Sequence, residues 1–325
     1  MQALAAAVQD GVQNGGVDPA RVYLAGRGEA AAAALYTIAR IPDLWAAGLL
    51  VGGSPQPAID SGRVFAANFT NVPVLWVSGG ATDQELAAKL KSAGLNLEWR
   101  SATGLANATI FDWLAAHKRE PFPSEVDCET DSPAFARCYW VQMAQFDVNE
   151  RNDVLPSTVV RPGSAAALDL GPFAFKNDDP GPGVLVELPE KYSGPLKTGD
   201  RLMAFDGREI ANARQYVERL AAVSGERPVV VTVQRGKDRV RLETRFTLPR
   251  RGPNITARVE AQYLPADKEI QIVSRTVKEL RVTIPPEWAM GSRLYWNGLV
   301  LEKVDAPGCF VLTVEKELLH AARCP

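Results

Sequence analysis

Apolar positions change their spacing along this chain. Through residues 1–120, short apolar runs alternate with stretches whose apolar residues recur three to four apart. Runs at 21–26, 45–51, 72–78 (VPVLWVS) and 95–101 have strand length. Between and around them, 2–12, 29–40, 83–93 and 109–118 have helical spacing. Leu86 and Leu90 sit four apart, Ile110, Trp113, Leu114 and His117 share one side, and Pro42 stops the second helix. Strands alternating with helices predict a parallel sheet with helices on its faces.

From about Pro121 the period shifts towards two. Residues 138–146 (CYWVQMAQF) predict one strand, and the Pro-, Ser-, Gly- and Ala-rich stretch 154–167 a linker. Residues 168–248 predict a compact unit of strands around one helix. Within it 229–234 and 239–248 flank Gly236-Lys237 as a hairpin. Val240, Leu242, Thr244, Phe246 and Leu248 alternate there with Arg239, Arg241, Glu243 and Arg245, one face buried and one wet. Asn212 is placed to cap a helix in which Tyr216/Leu220 and Val217/Ala221 are four apart. Arg250-Arg251-Gly252-Pro253 predicts a second linker. Strands follow at 255–264, 269–275, 280–284, 293–296, 299–304 and 310–314, with Asn297-Gly298 as a two-residue hairpin turn.

Composition narrows the function classes. A chain of 325 residues fits two or three domains. With a net charge of -2 and no strongly basic segment, it offers no nucleic-acid face. No apolar run reaches the roughly 20 residues that span a bilayer, and MQALAAAVQD lacks the basic start and apolar core of a secretory signal. Cys128, Cys138, Cys309 and Cys324 allow three pairings and form no C-x-x-C pattern, so no metal site is expected. Cys128 and Cys138 flank a predicted hairpin loop where a bridge is geometrically easy; free thiols in a reducing cytosol are the alternative. His117 and His320 are the only histidines.

Residues 17–53 carry the first resemblance. Asp18-Pro19, then Gly26-x-Gly28-x-Ala30 after a predicted strand, then Pro42-Asp43-Leu44 resemble the nucleophile-elbow region of α/β-hydrolases, with the nearest likeness to polyhydroxybutyrate depolymerase-type esterases. The resemblance implies a strand–turn–helix that presents a serine to substrate. Here that place holds Gly28, which has no side chain. The family's acid maps onto Asp83, which otherwise caps a helix. Its histidine belongs in 101–109, which has none; His117 lies beyond, as a packing or capping residue. The family's sheet has about four strands before the elbow, so the chain is either part of a longer polypeptide or a truncated fold. An upstream segment or a second copy is then expected to cover the sheet edge at 21–26. A dinucleotide site is disfavoured, since Gly26-Arg27-Gly28-Glu29 lacks the third glycine and the ribose-binding acid. Ser54, after the next strand, is a weaker nucleophile candidate without a base.

The second resemblance is the more specific. Gly183-Val-Leu-Val-Glu-Leu188 followed by Gly194-Pro-Leu-Lys-Thr-Gly-Asp-Arg-Leu-Met-Ala-Phe-Asp-Gly-Arg-Glu-Ile210 resembles PDZ domains of bacterial, protease-associated proteins. The family binds C-terminal or extended peptides by strand addition. The resemblance implies a carboxylate-binding loop at Leu170-Gly171-Pro172-Phe173, where Pro172 removes one donor. It implies a groove walled by Phe173, Ala174 and Phe175, with Arg214 and Val217 from the helix. The plain alternative is that these residues are ordinary core and the unit is a spacer. Cys138-Tyr139-Trp140-Val141 and Leu294-Tyr295-Trp296-Asn297-Gly298 also match a small β-domain that follows the esterases.

The expected fold class is therefore a partial hydrolase-like α/β parallel sheet over 1–118, plus an all-β domain over 119–160 and 252–325 carrying an inserted PDZ-like α+β domain over 165–250. The expected function is a non-catalytic scaffold on a degenerate hydrolase platform that binds a peptide or protein C-terminus, without cofactor or metal. The alternative is a serine esterase or peptidase whose catalytic residues lie upstream or elsewhere. The resemblances lean towards the bacterial periplasm or exterior.

Overall fold

The computed structural model describes residues 1–160, 166–176, 179–221, 223, 226–247, 255–289, 291–304 and 306–325. Both linker stretches, 161–165 within the first and 250–253, and Leu248 lie outside them. Met1–Pro162 with Pro253–Pro325 forms one compact unit, and Gly163–Gly252 forms a second.

The first unit opens with the predicted alternation. Helix Gln2–Asn14 precedes strand Tyr23–Arg27, and Asp18 caps the turn between them by accepting from Ala20 N at 2.9 Å. Strands Tyr23–Arg27, Ala47–Val51, Val74–Ser78 and Leu97–Ser101 pair in parallel in that order. Helix Ala30–Arg40 packs Ala31, Leu35 and Ile38 with Leu50 and Trp76 on one face. Helix Asn107–Ala115 covers the other face with Ile110, Trp113 and Leu114 around Leu49, Leu75 and Val77. Tyr23–Arg27 is an edge strand, with Ala25 and Arg27 exposed.

The rest of this unit holds two five-stranded sheets. One runs Leu299–Val304, Ser292–Trp296, Glu269–Arg275, Ala257–Leu264, Glu125–Thr130, with a parallel step between the second and third. The other is antiparallel: Leu318–Arg323, Gly308–Glu315, Val277–Ile284, Val141–Phe146, Arg137–Cys138. They share one core, in which Val126, Val259, Ile272 and Trp296 of the first meet Val141, Leu280 and Leu312 of the second.

These sheets overturn the expected fold class. Strands hold 38% of the residues and helices 24%, and only one four-stranded sheet among the described residues is wholly parallel; the others are antiparallel or mixed. The layout is not that of an α/β-hydrolase. The physical reason lies in the period-two stretches, which form most of the sheet, whereas the alternation that suggested the α/β class stops near residue 115.

Smaller corrections have local causes. Residues 138–146 are two strands, because Tyr139 turns the chain at φ 54 and Cys138 pairs with Val141 across a two-residue loop. Cys128 and Cys138 do not flank a hairpin. They sit on different sheets, and their bridge, with Cα atoms 6.4 Å apart, ties the two together. Cys309–Cys324, at 5.3 Å, closes the last strand pair. The Asn297-Gly298 turn forms as expected: both residues have positive φ (47° and 84°) and Trp296 pairs with Leu299.

One side chain joins the layers of this unit. The Glu129 carboxylate, with no exposed surface, accepts from Ser157 Oγ at 2.6 Å, Thr158 N at 2.6 Å, Thr158 Oγ1 at 2.8 Å, Thr256 Oγ1 at 2.5 Å and Arg275 at 3.2 Å. Asn68, beside the parallel sheet, donates to Glu129 O at 2.9 Å and accepts from Glu129 N at 2.8 Å.

Two predictions follow from this geometry. Glu129→Gln keeps the shape but removes the charge opposite Arg275, and should lower unfolding free energy by about 3 kcal/mol; an unshifted urea midpoint contradicts the assignment. Cys309→Ala with Cys324→Ala opens a loop of 15-residue separation and should lower stability by about 3 kcal/mol, read from the same denaturation curve.

Candidate functional site

The second unit is built on one sheet. Its order is Ala167–Leu168, Asp238–Thr247, Pro228–Arg235, Arg201–Phe205, Val184–Glu187, Ala174–Phe175, with Arg208–Glu209 paired to Arg201–Phe205. The hairpin at Gly236-Lys237 forms as predicted, Arg235 pairing with Asp238. Val184, Val186, Leu202, Phe205, Val231, Val233 and Phe246 bury one face against Ala213, Tyr216 and Leu220 of helix Ala213–Ala221. Asn212 caps that helix: its Oδ1 accepts from Gln215 N at 3.0 Å, while Gln215 Oε1 accepts from Ala211 N, just before the cap, at 2.7 Å.

Asp200 fixes the turn before the central strand. Its carboxylate is 1% exposed and accepts from Lys197 N at 2.8 Å and from Arg235 Nε at 2.9 Å and Nη2 at 2.7 Å. Burial opposes its ionisation, but the Arg235 bonds and the Lys197 N–H outweigh burial and hold the carboxyl below its usual range.

The predicted groove residues divide into three kinds. Phe173 and Phe175 are half-buried with ring centroids 6.5 Å apart, and Phe175 meets Tyr216 of the helix edge-on at 5.3 Å. Burial pushes the Tyr216 phenol upward, so it stays neutral. Val217, on the same helix, is 39% exposed. Phe173 and Phe175 pack against the same core as Tyr216, beside the edge strand. Arg214 is exposed and bonds Glu218 one turn on at 2.9 Å, along the helix surface. Leu170 is fully buried and belongs to the core of the unit, not to an open surface.

Ala174–Phe175 is an edge strand, and its free side can be read from its partner. Residues facing each other in an antiparallel pair either exchange both hydrogen bonds or direct both outward. Phe175 faces Val186, and Val186 N donates away from it, to Asp200 O at 3.0 Å. The N–H and C=O of Phe175 therefore point to the open edge. Gly171 takes φ +77, and a Cβ there would lie 3.1 Å from the Tyr192 ring. Sequence reasoning missed Tyr192. Its hydroxyl donates to Leu170 O and accepts from Leu196 N at 3.1 Å, locking the loop. An aromatic residue two before Gly194 was its only signal. The two described cavities lie elsewhere. One of about 1040 Å³ is bordered by Asp169, Val230 and Glu243, and one of about 240 Å³ by Leu301, Phe310 and Arg323.

The residues singled out for hydrolysis are not assembled around a nucleophile. Gly28 occupies the strand-to-helix turn at φ +59 with open space where a side chain would point. Gly26 is a packing requirement, since a Cβ there would lie 2.3 Å from Ala30 O; Ala30 begins the helix as a small residue. Asp83 was expected to cap its helix but makes no capping bond. Gly80 is the N-cap, and Asp83 sits in the first turn, where the helix dipole favours a carboxylate. His117 follows helix Asn107–Ala115, correcting its expected place inside the helix. Its ring packs on Trp113 at 4.3 Å, with Nδ1 2.7 Å from Trp113 O. His320 is exposed, opposite Thr313 in the last strand pair. Ser54 Oγ accepts from Gln56 N at 3.2 Å in a local turn. Among the described residues no group of three or more metal-ligating side chains occurs. No helix there is long and apolar enough to cross a membrane.

No protein-family model, no curated protein and no solved structure matches the chain.

The depressed Asp200 pKa gives a signed prediction. It adds stability that is present above the unfolded value, about pH 4, and is lost as pH falls through the lower folded value. Asp200→Asn should lower stability by about 2 kcal/mol at neutral pH and flatten the acid limb below pH ~4. Amide-exchange protection in Arg201–Phe205 between pH 7 and 3 reads this out, and parallel pH curves for the two proteins contradict it.

Proposed function

We propose that Gly163–Gly252 is a peptide-binding module of the PDZ-like kind, and that the remainder of the chain is a non-catalytic scaffold that carries it. The observation behind this reading is the open edge of Ala174–Phe175 beside helix Ala213–Ala221. Outward main-chain groups there accompany half-buried Phe173 and Phe175, and the helix exposes Val217 one residue after Tyr216, which Phe175 meets. Strand addition uses these parts: ladder hydrogen bonds supply affinity, and apolar walls select alternate side chains.

The glycines around the central strand support the same reading. Gly199 and Gly207 adopt positive φ (86° and 73°) on either side of the central strand, turning the chain where Asp200 bonds Arg235 and where Arg208–Glu209 pairs back. The carrier unit contributes stability: two interlocked sheets and both disulfides. Bridged cysteines are compatible with an oxidising compartment, and we place the protein in the bacterial periplasm or outside the cell.

Screening the full chain against displayed extended peptides tests the module. Binders should lose at least tenfold in affinity on Val217→Asp, which sets a charge at an exposed groove position, with the melting temperature unchanged. Affinity indifferent to both Val217→Asp and Phe173→Ala would move binding away from this groove. A screen that returns no binder would leave the unit a spacer.

A further inference from the structure

We infer that this groove takes an internal extended segment of its partner, passing through both ends, and not a free C-terminus. The inference rests on the peptide-binding reading above and names the class of peptide. Holding a terminal carboxylate requires several N–H groups converging from the loop that precedes the edge strand, or a cation beside it. The donors of Leu170-Gly171-Pro172-Phe173 can be counted. Leu170 N is already committed to Leu168 O at 2.8 Å, and its side chain is fully buried, so the group cannot turn out. Pro172 has no N–H. Phe173 precedes Phe175 by two, so in an extended chain its N–H belongs to the ladder edge. The Gly171 N–H is the one left within the loop itself, with the Phe173 N–H beside it at the ladder edge.

Among the described residues, the loop itself carries no cation. The stretch 166–175 holds one acid, Asp169, and no base. The first lysine after it, Lys176, has Glu187 at 3.7 Å, and Arg214 on the helix is bonded to Glu218. An unneutralised carboxylate brought to this exposed loop would find the Gly171 and Phe173 N–H groups and no cation, a weak exchange for the water it gives up. Nor does the loop reshape easily, since the Tyr192 hydroxyl holds both Leu170 O and Leu196 N, and the Tyr192 ring lies against Gly171.

The ladder edge has no such deficit. The outward N–H and C=O of Phe175 serve any extended backbone, terminal or internal. The surfaces beside them are aromatic rings, a neutral phenol and Val217. The matching segment is therefore extended, with uncharged apolar side chains at alternate positions where it faces the helix. A chain continuing past Pro172 brings a neutral amide to the loop in place of a charge.

Two peptide libraries screened against the full-length protein separate the outcomes. One displays random dodecamers tethered at both ends; the other displays them with free C-termini. Enrichment from the tethered library, with affinities changed less than threefold when the same sequence is made as a free acid or an amide, is the expected result. Enrichment from the free-C-terminus library alone, or a tenfold loss on amidation, overturns the inference while leaving peptide binding in place. No enrichment from either removes the peptide-binding reading itself and this inference with it. Pro172→Gly adds a donor to the loop. It should raise affinity for the free-acid form about tenfold and leave the tethered form unchanged; equal effects on both forms also count against the donor argument.

Discussion

A carboxylate without exposed surface can persist only where donors replace the water it gave up. Glu129 does so with two hydroxyls and an amide from the outgoing segment, Ser157 and Thr158, a hydroxyl from Thr256, and the guanidinium of Arg275. Its own backbone is held by Asn68, which also donates to Ala39 O at 2.5 Å. The parallel sheet and the mixed sheet thus share a polar joint that apolar packing alone would not orient. Thr158 lies just before the second unit begins and Thr256 just after it ends, so one side chain fixes both places where the chain leaves and rejoins the first unit.

This arrangement explains how an insertion of this size is accommodated. The second unit has its own core, from Ala166 to Phe246, and its own buried ion pair between Asp200 and Arg235. The first unit closes without it, since Val160 N bonds Val64 O at 2.7 Å and Phe65 bridges Val159 before the chain departs. Each unit therefore has its own core and its own charge pairing around a buried carboxylate. Sequence in the groove can then diverge without disturbing the sandwich, and substitutions at Glu129 act on the carrier.

Much of this was legible where local chemistry is decisive. Asn297-Gly298 and Gly236-Lys237 specified their turns because positive φ is easiest for asparagine and glycine. Asn212 specified a cap because its oxygen can reach the third helical N–H. Tyr139 gave no such signal: a tyrosine at φ 54 is held by its surroundings, and CYWVQMAQF looks continuous without them. The Cys128–Cys138 pairing was legible but its setting was not, since ten residues of separation suit a hairpin as well as a crossing between sheets. The glycine turn at 26–30 misled more widely. Its local shape is real, yet a turn constrains about five residues, and the fold class was set by the longer period-two stretches beyond 121.

The groove shows where periodicity stops being informative. Leu170, Phe173 and Phe175 are equally apolar in sequence, but one is a sealed anchor and the others stand at an open edge. The difference comes from Tyr192, more than fifteen residues away, which holds the loop under Leu170. Pro172, by contrast, is informative in any fold, because a missing N–H stays missing whatever surrounds it. Ligand class at this edge then follows from donor counting more than from shape. A pocket can flex to admit a bulkier side chain, whereas a loop short of N–H groups has no low-cost way to hold an anion.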